Sequence, residues 1–179
     1  MAAPIMPKPP PSTAELPHLN AAGQARMVDV SDKEVTARAA TAAGRVRLSA
    51  ECVAALRDGT VPKGDALAVA RIAGIQGAKR TPELIPLCHP LFLSGVDVTT
   101  DVTEDGVDIT ATVKTTNRTG VEMEALTAVT VAALAVVDMI KAIDRAAVIT
   151  DVRVLAKSGG RRGDWQRDSK GVGEDTEQA

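Results

Sequence analysis

The sequence is poor in aromatic residues. It contains no tyrosine, one phenylalanine, Phe92, and one tryptophan, Trp165. Proteins that bind single-stranded nucleic acid without sequence preference stack bases on aromatic side chains, so the composition argues against that class. The charges agree, because 21 Lys and Arg residues against 23 Asp and Glu residues leave a formal net charge of −2. Such a chain has no strong electrostatic attraction for nucleic acid or for an acidic membrane surface.

Cysteine and long uninterrupted apolar runs are also scarce. Cys52 and Cys88 are the two cysteines, and their unlike contexts predict reduced thiols in a cytoplasmic protein. The longest apolar run, residues 119–141, is interrupted by Glu124, Asp138 and Lys141, so we expect no stretch apolar enough to span a membrane. Residues 1–17 are Pro-rich without an apolar core, which indicates a disordered leader and not a signal peptide.

A chain of 179 residues fits one domain with a proper core. We predict that this domain covers residues 18–165. The charged residues 166–179 are expected to form a disordered tail.

The run Thr119–Lys141 predicts one long helix. Thr119 and Glu122 have the spacing of a capping box, in which the two side chains satisfy free backbone N–H groups. The interior is Ala, Val and Leu on nearly every face, so we expect burial on more than one side.

The rest of the chain alternates strands and helices. A strand is predicted over residues 33–48, although the alanines there would equally allow a helix. A helix that Ser49 caps follows and ends at Arg57. The turn 62–65 opens a second helix, which Pro82 ends. Asp105-Gly106 indicates a hairpin between two strands, and a last strand is expected near residues 147–156. This order predicts an α+β fold, a ferredoxin-like antiparallel sheet with helices on one face.

Two acidic positions on the long helix are candidates for function. Asp138 and Lys141 share a face at i, i+3, and form either a structural ion pair or part of a site. Glu124 lies 14 positions before Asp138, which is about 21 Å along a helix. The two carboxylates therefore cannot serve one reacting atom within a single chain. An antiparallel neighbouring chain would bring them together.

The remaining candidates each have a plain structural interpretation. His89 is either a structural hydrogen bonder or a functional group, and adjacent Cys88 and His89 lack the spacing of metal ligands. Lys63 could be a solvated turn lysine, and Lys79 could complement a helix dipole. Lys157 precedes glycines whose N–H groups could cradle an anion. A P-loop, a dinucleotide-binding fingerprint and a nucleophile elbow are absent from the sequence.

Four segments in order carry a more specific signal: KGDALAVARIAGIQGAKRTPELIPLCHPL, TGVEMEALTAV, DMIKAIDR and VLAKSGGRRGD. Together they resemble the molybdenum cofactor biosynthesis protein C (MoaC) family, from about His18 to Trp165. The resemblance implies a cyclic pyranopterin monophosphate synthase, a lyase of molybdenum cofactor (molybdopterin) biosynthesis. Its substrate is a cyclised dihydroguanosine triphosphate made by a radical S-adenosylmethionine enzyme, and it releases pyrophosphate.

The resemblance also implies an assembly and a set of site residues. It implies a homohexamer, a trimer of dimers, with active sites at the dimer interface. The implied catalytic residues are Asp138, Lys63 and Lys141. The implied substrate-binding residues are Leu87, Cys88, His89, Met123, Glu124, Arg38, Lys79 and Lys157.

The chemistry requires such groups. Positioned acids and bases accelerate proton transfers about 10²–10⁴-fold, and cations or a metal stabilise the departing pyrophosphate. No carboxylate cluster in the sequence demands a metal ligand set, although Mg²⁺ is possible. We expect neither a nucleic acid nor a membrane partner. Mixing Lys63→Ala and Asp138→Asn subunits is expected to restore some shared sites.

Two other classes of function remain open. One is a non-catalytic nucleotide-binding or regulatory oligomer that uses the same basic pocket. The other is an RNA-binding ferredoxin-like module, which the low aromatic content and the net charge disfavour.

Overall fold

A computed structural model of the chain describes residues 19–20, 22–161 and 163–168. The predicted leader 1–17, residue His18 and tail residues 169–179 lie outside the described residues. The predicted domain boundaries therefore stay predictions.

The described chain forms one antiparallel sheet with helices on one side. In chain order the elements are β1 Thr36–Arg47, α1 Ala50–Arg57, α2 Ala66–Lys79, α3 Thr81–Leu84, β2 Leu93–Val102, β3 Gly106–Asn117, α4 Glu122–Ile140, β4 Val148–Ser158 and β5 Trp165–Gln166. The strand order across the sheet is β2-β3-β1-β4-β5, and every neighbouring pair is antiparallel. Helix α4 packs on β1, β3 and β4, and α2 packs on α4 and β2. The predicted α+β, ferredoxin-like architecture is confirmed.

The core lies between the sheet and the helix pair. On β3 the buried residues Val107, Ile109, Ala111 and Val113 alternate with more exposed ones, as a strand with one covered face requires. Small residues let the two long helices approach closely. An added Cβ at Gly74 of α2 would lie 2.9 Å from the Ala128 carbonyl oxygen of α4.

The predicted capping box is wrong. Helix α4 begins at Glu122 and not at Thr119, with Val121 in the N-cap position and no side-chain cap. The Glu122 carboxylate lies instead 3.5 Å from the Lys157 ammonium on β4. This ion pair turns the carboxylate toward the sheet, so it does not close a box on the helix N-terminus.

We predicted that no stretch is apolar enough to span a membrane. This prediction is wrong, because one helix is long enough and apolar enough to do so when only its length and composition are considered. Helix α4 contains an 18-residue window of mean hydropathy 1.8, which passes that test. However, 56% of this window is buried inside the fold, and the core helix of a globular domain passes the same test. Its packing on three strands and on α2 accounts for its hydropathy.

Candidate active site

Lys63, Asp138 and Lys141 form one cluster at the C-terminal end of α4. Gly64, at φ +96°, turns the chain into α2, whose N-terminus is capped by the Asp65 side chain. This turn places the Lys63 ammonium where it donates to the Asp138 carboxylate at 2.9 Å and to the Asp138 backbone carbonyl at 2.8 Å. Lys141 ends α4, and its ammonium lies 2.8 Å from the other carboxylate oxygen. All three residues implied as catalytic therefore meet.

The two lysines keep Asp138 ionised. Hydrogen bonds from Lys141 and then Lys63 lower the pKa of Asp138 to about 2. The Asp138 side chain is 57% exposed, so in a single chain the cluster is open to water and is not a desolvated pair. A carboxylate with this pKa does not donate a proton near neutral pH. The protons within this cluster are those on the two ammonium groups, which donate hydrogen bonds to the carboxylate.

A second cluster lies at the other end of α4. Glu124 is only 3% exposed, and burial followed by the nearby Glu122 raises its pKa to about 7. Burial and then the Glu124 charge raise the pKa of the half-buried Cys88 thiol. The adjacent Met123 is partly exposed. A buried carboxyl whose pKa is raised toward neutral pH is typical of functional sites.

His89 lies beside Cys88 in the loop that leads to β2, and Leu87 precedes them, half-buried. The His89 Nε2 atom is 2.7 Å from the Val28 backbone carbonyl oxygen. A carbonyl oxygen only accepts, so Nε2 carries the proton in this contact. In the neutral ring Nδ1 is then a proton acceptor.

Two cations line the same end of the sheet. Lys157 of β4 pairs with Ala40 of β1. Arg38 lies two residues before Ala40 on β1, so its side chain is on the same face of the sheet as that of Lys157. The Arg38 Nε donates to the Asn117 carbonyl at 2.9 Å, and Lys157 reaches Glu122. Phosphate is commonly bound by the planar guanidinium of arginine and by the ammonium group of lysine.

Lys79 is different from these two cations. It lies exposed in the last turn of α2 and makes no ion pair within the described part of the chain. The structure does not join it to either cluster.

The glycine loop after Lys157 differs from the predicted anion cradle. The Gly159 N–H donates to the Asp164 carboxylate at 2.9 Å, and the Gly163 N–H donates to the Gly160 carbonyl at 3.0 Å. These two N–H groups are therefore satisfied inside the loop. The pairing of Glu122 with Lys157 was not predicted, because the spacing of Glu122 from Thr119 matches a capping box, and no local pattern in the sequence indicates this contact.

The two clusters stay apart within one chain. Asp138 and Glu124 are at opposite ends of α4, about 21 Å apart at the standard helical rise. A cavity of about 380 Å³ lies between β1, β4 and β5, lined by Thr41, Ala156 and Trp165, and it contains neither carboxylate. Among the described residues, no group of three or more His, Cys, Asp and Glu side chains could hold a metal ion.

Known proteins match nearly the whole described chain. The model of the MoaC family matches residues 27–160. A cyclic pyranopterin monophosphate synthase of Streptomyces avermitilis is 66% identical over 158 residues, which cover 88% of this chain and 93% of that protein. Proteins of the same name from Nocardioides sp. and Chloroflexus aurantiacus are 65% and 59% identical, covering 87% and 86% of this chain and 98% and 95% of their own lengths. By the extent and identity of these matches, the chain belongs to the MoaC family.

Proposed function

We propose that this chain is a cyclic pyranopterin monophosphate synthase of molybdenum cofactor biosynthesis. It converts a cyclised dihydroguanosine triphosphate to cyclic pyranopterin monophosphate and releases pyrophosphate. The observation that carries the proposal is the Asp138 carboxylate held between the ammonium groups of Lys63 and Lys141, at 2.9 and 2.8 Å. Relatives that bear this enzyme's name are 59–68% identical to the chain, and they support the assignment.

The phosphates are assigned to the cationic end of the sheet. Formation of the cyclic phosphate joins a substrate hydroxyl oxygen to the first phosphorus and breaks that phosphorus's bond to the bridging oxygen. The departing pyrophosphate carries away the negative charge of the broken bond. Arg38 and Lys157 stabilise this charge. Lys157 exchanges its contact with Glu122 for a phosphate oxygen as the substrate binds.

The proton transfers of ring opening and ring closure are assigned to the remaining groups. Lys63 and Lys141 donate protons, and Asp138 holds both ammonium groups in place as a carboxylate. Glu124, with a pKa of about 7, and the Nδ1 of His89 accept protons from the substrate. Leu87, Cys88 and Met123 shape the pocket around the ring system. Lys79 has the least support of the implied binding residues, because it is exposed and outside both clusters.

We also propose the implied assembly, a homohexamer built as a trimer of dimers with each site shared by two chains. Two observations support sharing. The clusters are too far apart in one chain to meet at one substrate. In addition, large apolar side chains are exposed on the outer surface of the helix pair. Ile72 of α2 is 62% exposed and Leu134 of α4 is 55% exposed, four residues before Asp138. Burying them against a second chain is favourable.

Single substitutions test the catalytic cluster. We expect Asp138→Asn and Lys63→Ala to fold and assemble normally, because both side chains are largely exposed. Both variants should lose pyranopterin formation by at least about 10²-fold, the usual contribution of a positioned proton-transfer group. The assay incubates each variant with the product of the upstream radical enzyme and measures pyrophosphate and an oxidisable pterin. Asp58→Asn, at the end of α1, is the matched control and should be fully active. Full turnover by Asp138→Asn and Lys63→Ala would remove the assigned roles.

Mixed oligomers test the shared site, and the structure corrects the choice of variants. Lys63 and Asp138 lie in the same cluster of one chain, so mixing Lys63→Ala with Asp138→Asn leaves every shared site damaged. In the proposed arrangement this pair therefore restores no sites, and a different pair is needed. Lys63→Ala damages the half of a shared site that contains Asp138, and Arg38→Ala damages the half that the other chain contributes, so these two variants can be mixed. Random exchange should then rebuild about a quarter of the sites. Verified exchange without recovered activity would show that each site belongs to one chain.

The same incubation distinguishes the alternative functions. A non-catalytic nucleotide-binding oligomer would bind the substrate and release no pyrophosphate, and an RNA-binding module would bind neither substrate nor product. We further propose that the enzyme acts in the cytoplasm, takes its substrate from the upstream radical enzyme, and needs no resident metal. Any Mg²⁺ enters with the substrate phosphates. Purified enzyme should therefore carry no stoichiometric metal, and a bound metal whose removal by a chelator abolishes turnover, even when Mg²⁺ is supplied with the substrate, would contradict the last point.

A further inference from the structure

Gly160 lies directly against the guanidinium of Arg38. An added Cβ at Gly160 would collide with Nη1 of Arg38 and would lie 3.0 Å from Cζ and 3.4 Å from Nη2. Three of the four guanidinium heavy atoms are thus within contact distance of this one position. The end of the guanidinium therefore occupies the space that a side chain at position 160 would need.

A second contact holds another side of the same guanidinium. The Arg38 Nε donates to the backbone carbonyl of Asn117 at 2.9 Å, across the pairing of β1 and β3. With Nε hydrogen-bonded and the Nη1 end against Gly160, the guanidinium is held at two points. An arginine that is ordered before its ligand arrives loses less entropy when it binds.

Only glycine meets both demands at position 160. Its φ is +78°, in the left-handed region that side chains with a Cβ rarely adopt. The space that a Cβ would need is also occupied by Arg38. Gly163, in the same loop, has a φ of +67°, but no atom of the described residues lies within 4 Å of its Cβ position. The two glycines therefore share the backbone requirement and differ in the steric one.

We propose that Gly160 is a positioning residue that sets the Arg38 guanidinium for binding the phosphates of the substrate. The inference rests on the proposed function for the identity of the ligand. The Arg38 contact itself depends only on the geometry. Gly160 acts through Arg38 and touches no reacting atom, so its loss should weaken phosphate binding and leave the proton transfers intact.

Comparing Gly160→Ala with Gly163→Ala tests the proposal. Both replacements add a Cβ at a positive φ, so we expect similar falls in melting temperature. The colliding atom at Gly160 is the end of a flexible side chain, so the chain folds and Arg38 moves. We then expect Gly160→Ala to raise the Kd for inorganic pyrophosphate about ten- to a hundredfold. This is the loss of affinity that corresponds to one hydrogen bond to a charged group. Calorimetry measures the Kd. KM should rise similarly with kcat little changed, and Gly163→Ala should leave Kd within about twofold.

A double substitution separates positioning from a general structural effect. In an Arg38→Ala background the added Cβ has no guanidinium to displace. Gly160→Ala should then cause no further rise in the Kd for pyrophosphate. Equal Kd values for Gly160→Ala and Gly163→Ala would overturn the inference, and so would an undiminished effect of Gly160→Ala without Arg38. These binding measurements do not require turnover. If the Kd values follow this expectation but the wild-type chain makes no pterin, the proposed function is refuted and the role of Gly160 is not.

Discussion

Replacement of Glu124 by glutamine should change how stability depends on pH. Glu124 is 3% exposed, and burial raises its pKa from 4.5 to about 7. Between these two values the folded chain keeps a proton on Glu124 that the unfolded chain has released. The folded state therefore binds more protons, and stability falls as the pH rises through this window. Glutamine does not titrate, so Glu124→Gln should lack this fall.

The magnitude follows from the size of the pKa change. At 1.36 kcal/mol per pH unit, a rise from 4.5 to about 7 corresponds to about 3 kcal/mol of unfolding free energy. Most of the fall, roughly 2–3 kcal/mol, lies between pH 5 and pH 8. Urea unfolding at a fixed protein concentration measures it, because the stability of an oligomer depends on concentration. Across that pH range the unfolding free energy of the wild type should fall by this amount relative to that of Glu124→Gln.

The control is Glu83→Gln on the short helix α3, where the side chain is exposed. Its profile should show the same fall with pH as the wild type, because Glu124 is still present in this variant. Parallel profiles for wild type and Glu124→Gln would refute the reasoning. They would mean that Glu124 has the same pKa in the folded and unfolded chain, and its assigned role as a proton acceptor near neutral pH would lose its basis.

Two further predictions concern a tautomer and a helix contact. In protein labelled with ¹⁵N-histidine, the neutral His89 ring should show a protonated Nε2 and an unprotonated Nδ1, because Nε2 donates to Val28; the opposite pattern would contradict that contact. Gly74→Ala should lower the unfolding free energy by about 1–3 kcal/mol in urea denaturation, since its Cβ would lie 2.9 Å from the Ala128 carbonyl oxygen. Gly95→Ala is the control and should change stability less, because among the described residues the atom nearest to its Cβ is the Lys114 Cβ, at 4.0 Å.

The architecture was predictable from the sequence where side-chain periodicity decided it. The alternation along Gly106–Asn117 and the Asp105-Gly106 turn specify a hairpin, and the Ser49 cap specifies the start of α1. The start of α4 was not predictable, because Glu122 matches a capping box in sequence but finds Lys157 in the folded chain. Strand β5 was missed because two residues carry no periodicity.

The site was less predictable than the fold. Spacing alone placed Lys141 beside Asp138 on one helix face, and the structure has that contact. It could not place Lys63, which is 75 residues from Asp138 along the chain and reaches it through the turn before α2. Long-range contacts of this kind arise from the packing of α2 on α4, which no local pattern encodes. The resemblance to a known family supplied the grouping.

The charges give a further reason to expect two chains at one site. Lys63 and Lys141 against Asp138 leave one positive charge at the C-terminal end of α4. Arg38 and Lys157 against Glu122 leave one at the opposite end of the helix when Glu124 is protonated. A triphosphate carries several negative charges, and a single positive charge open to water stabilises it weakly. Joining the two ends across a chain interface would double the positive charge around one substrate. It would also bury the exposed Asp138 cluster, where lower solvent access strengthens each of these interactions.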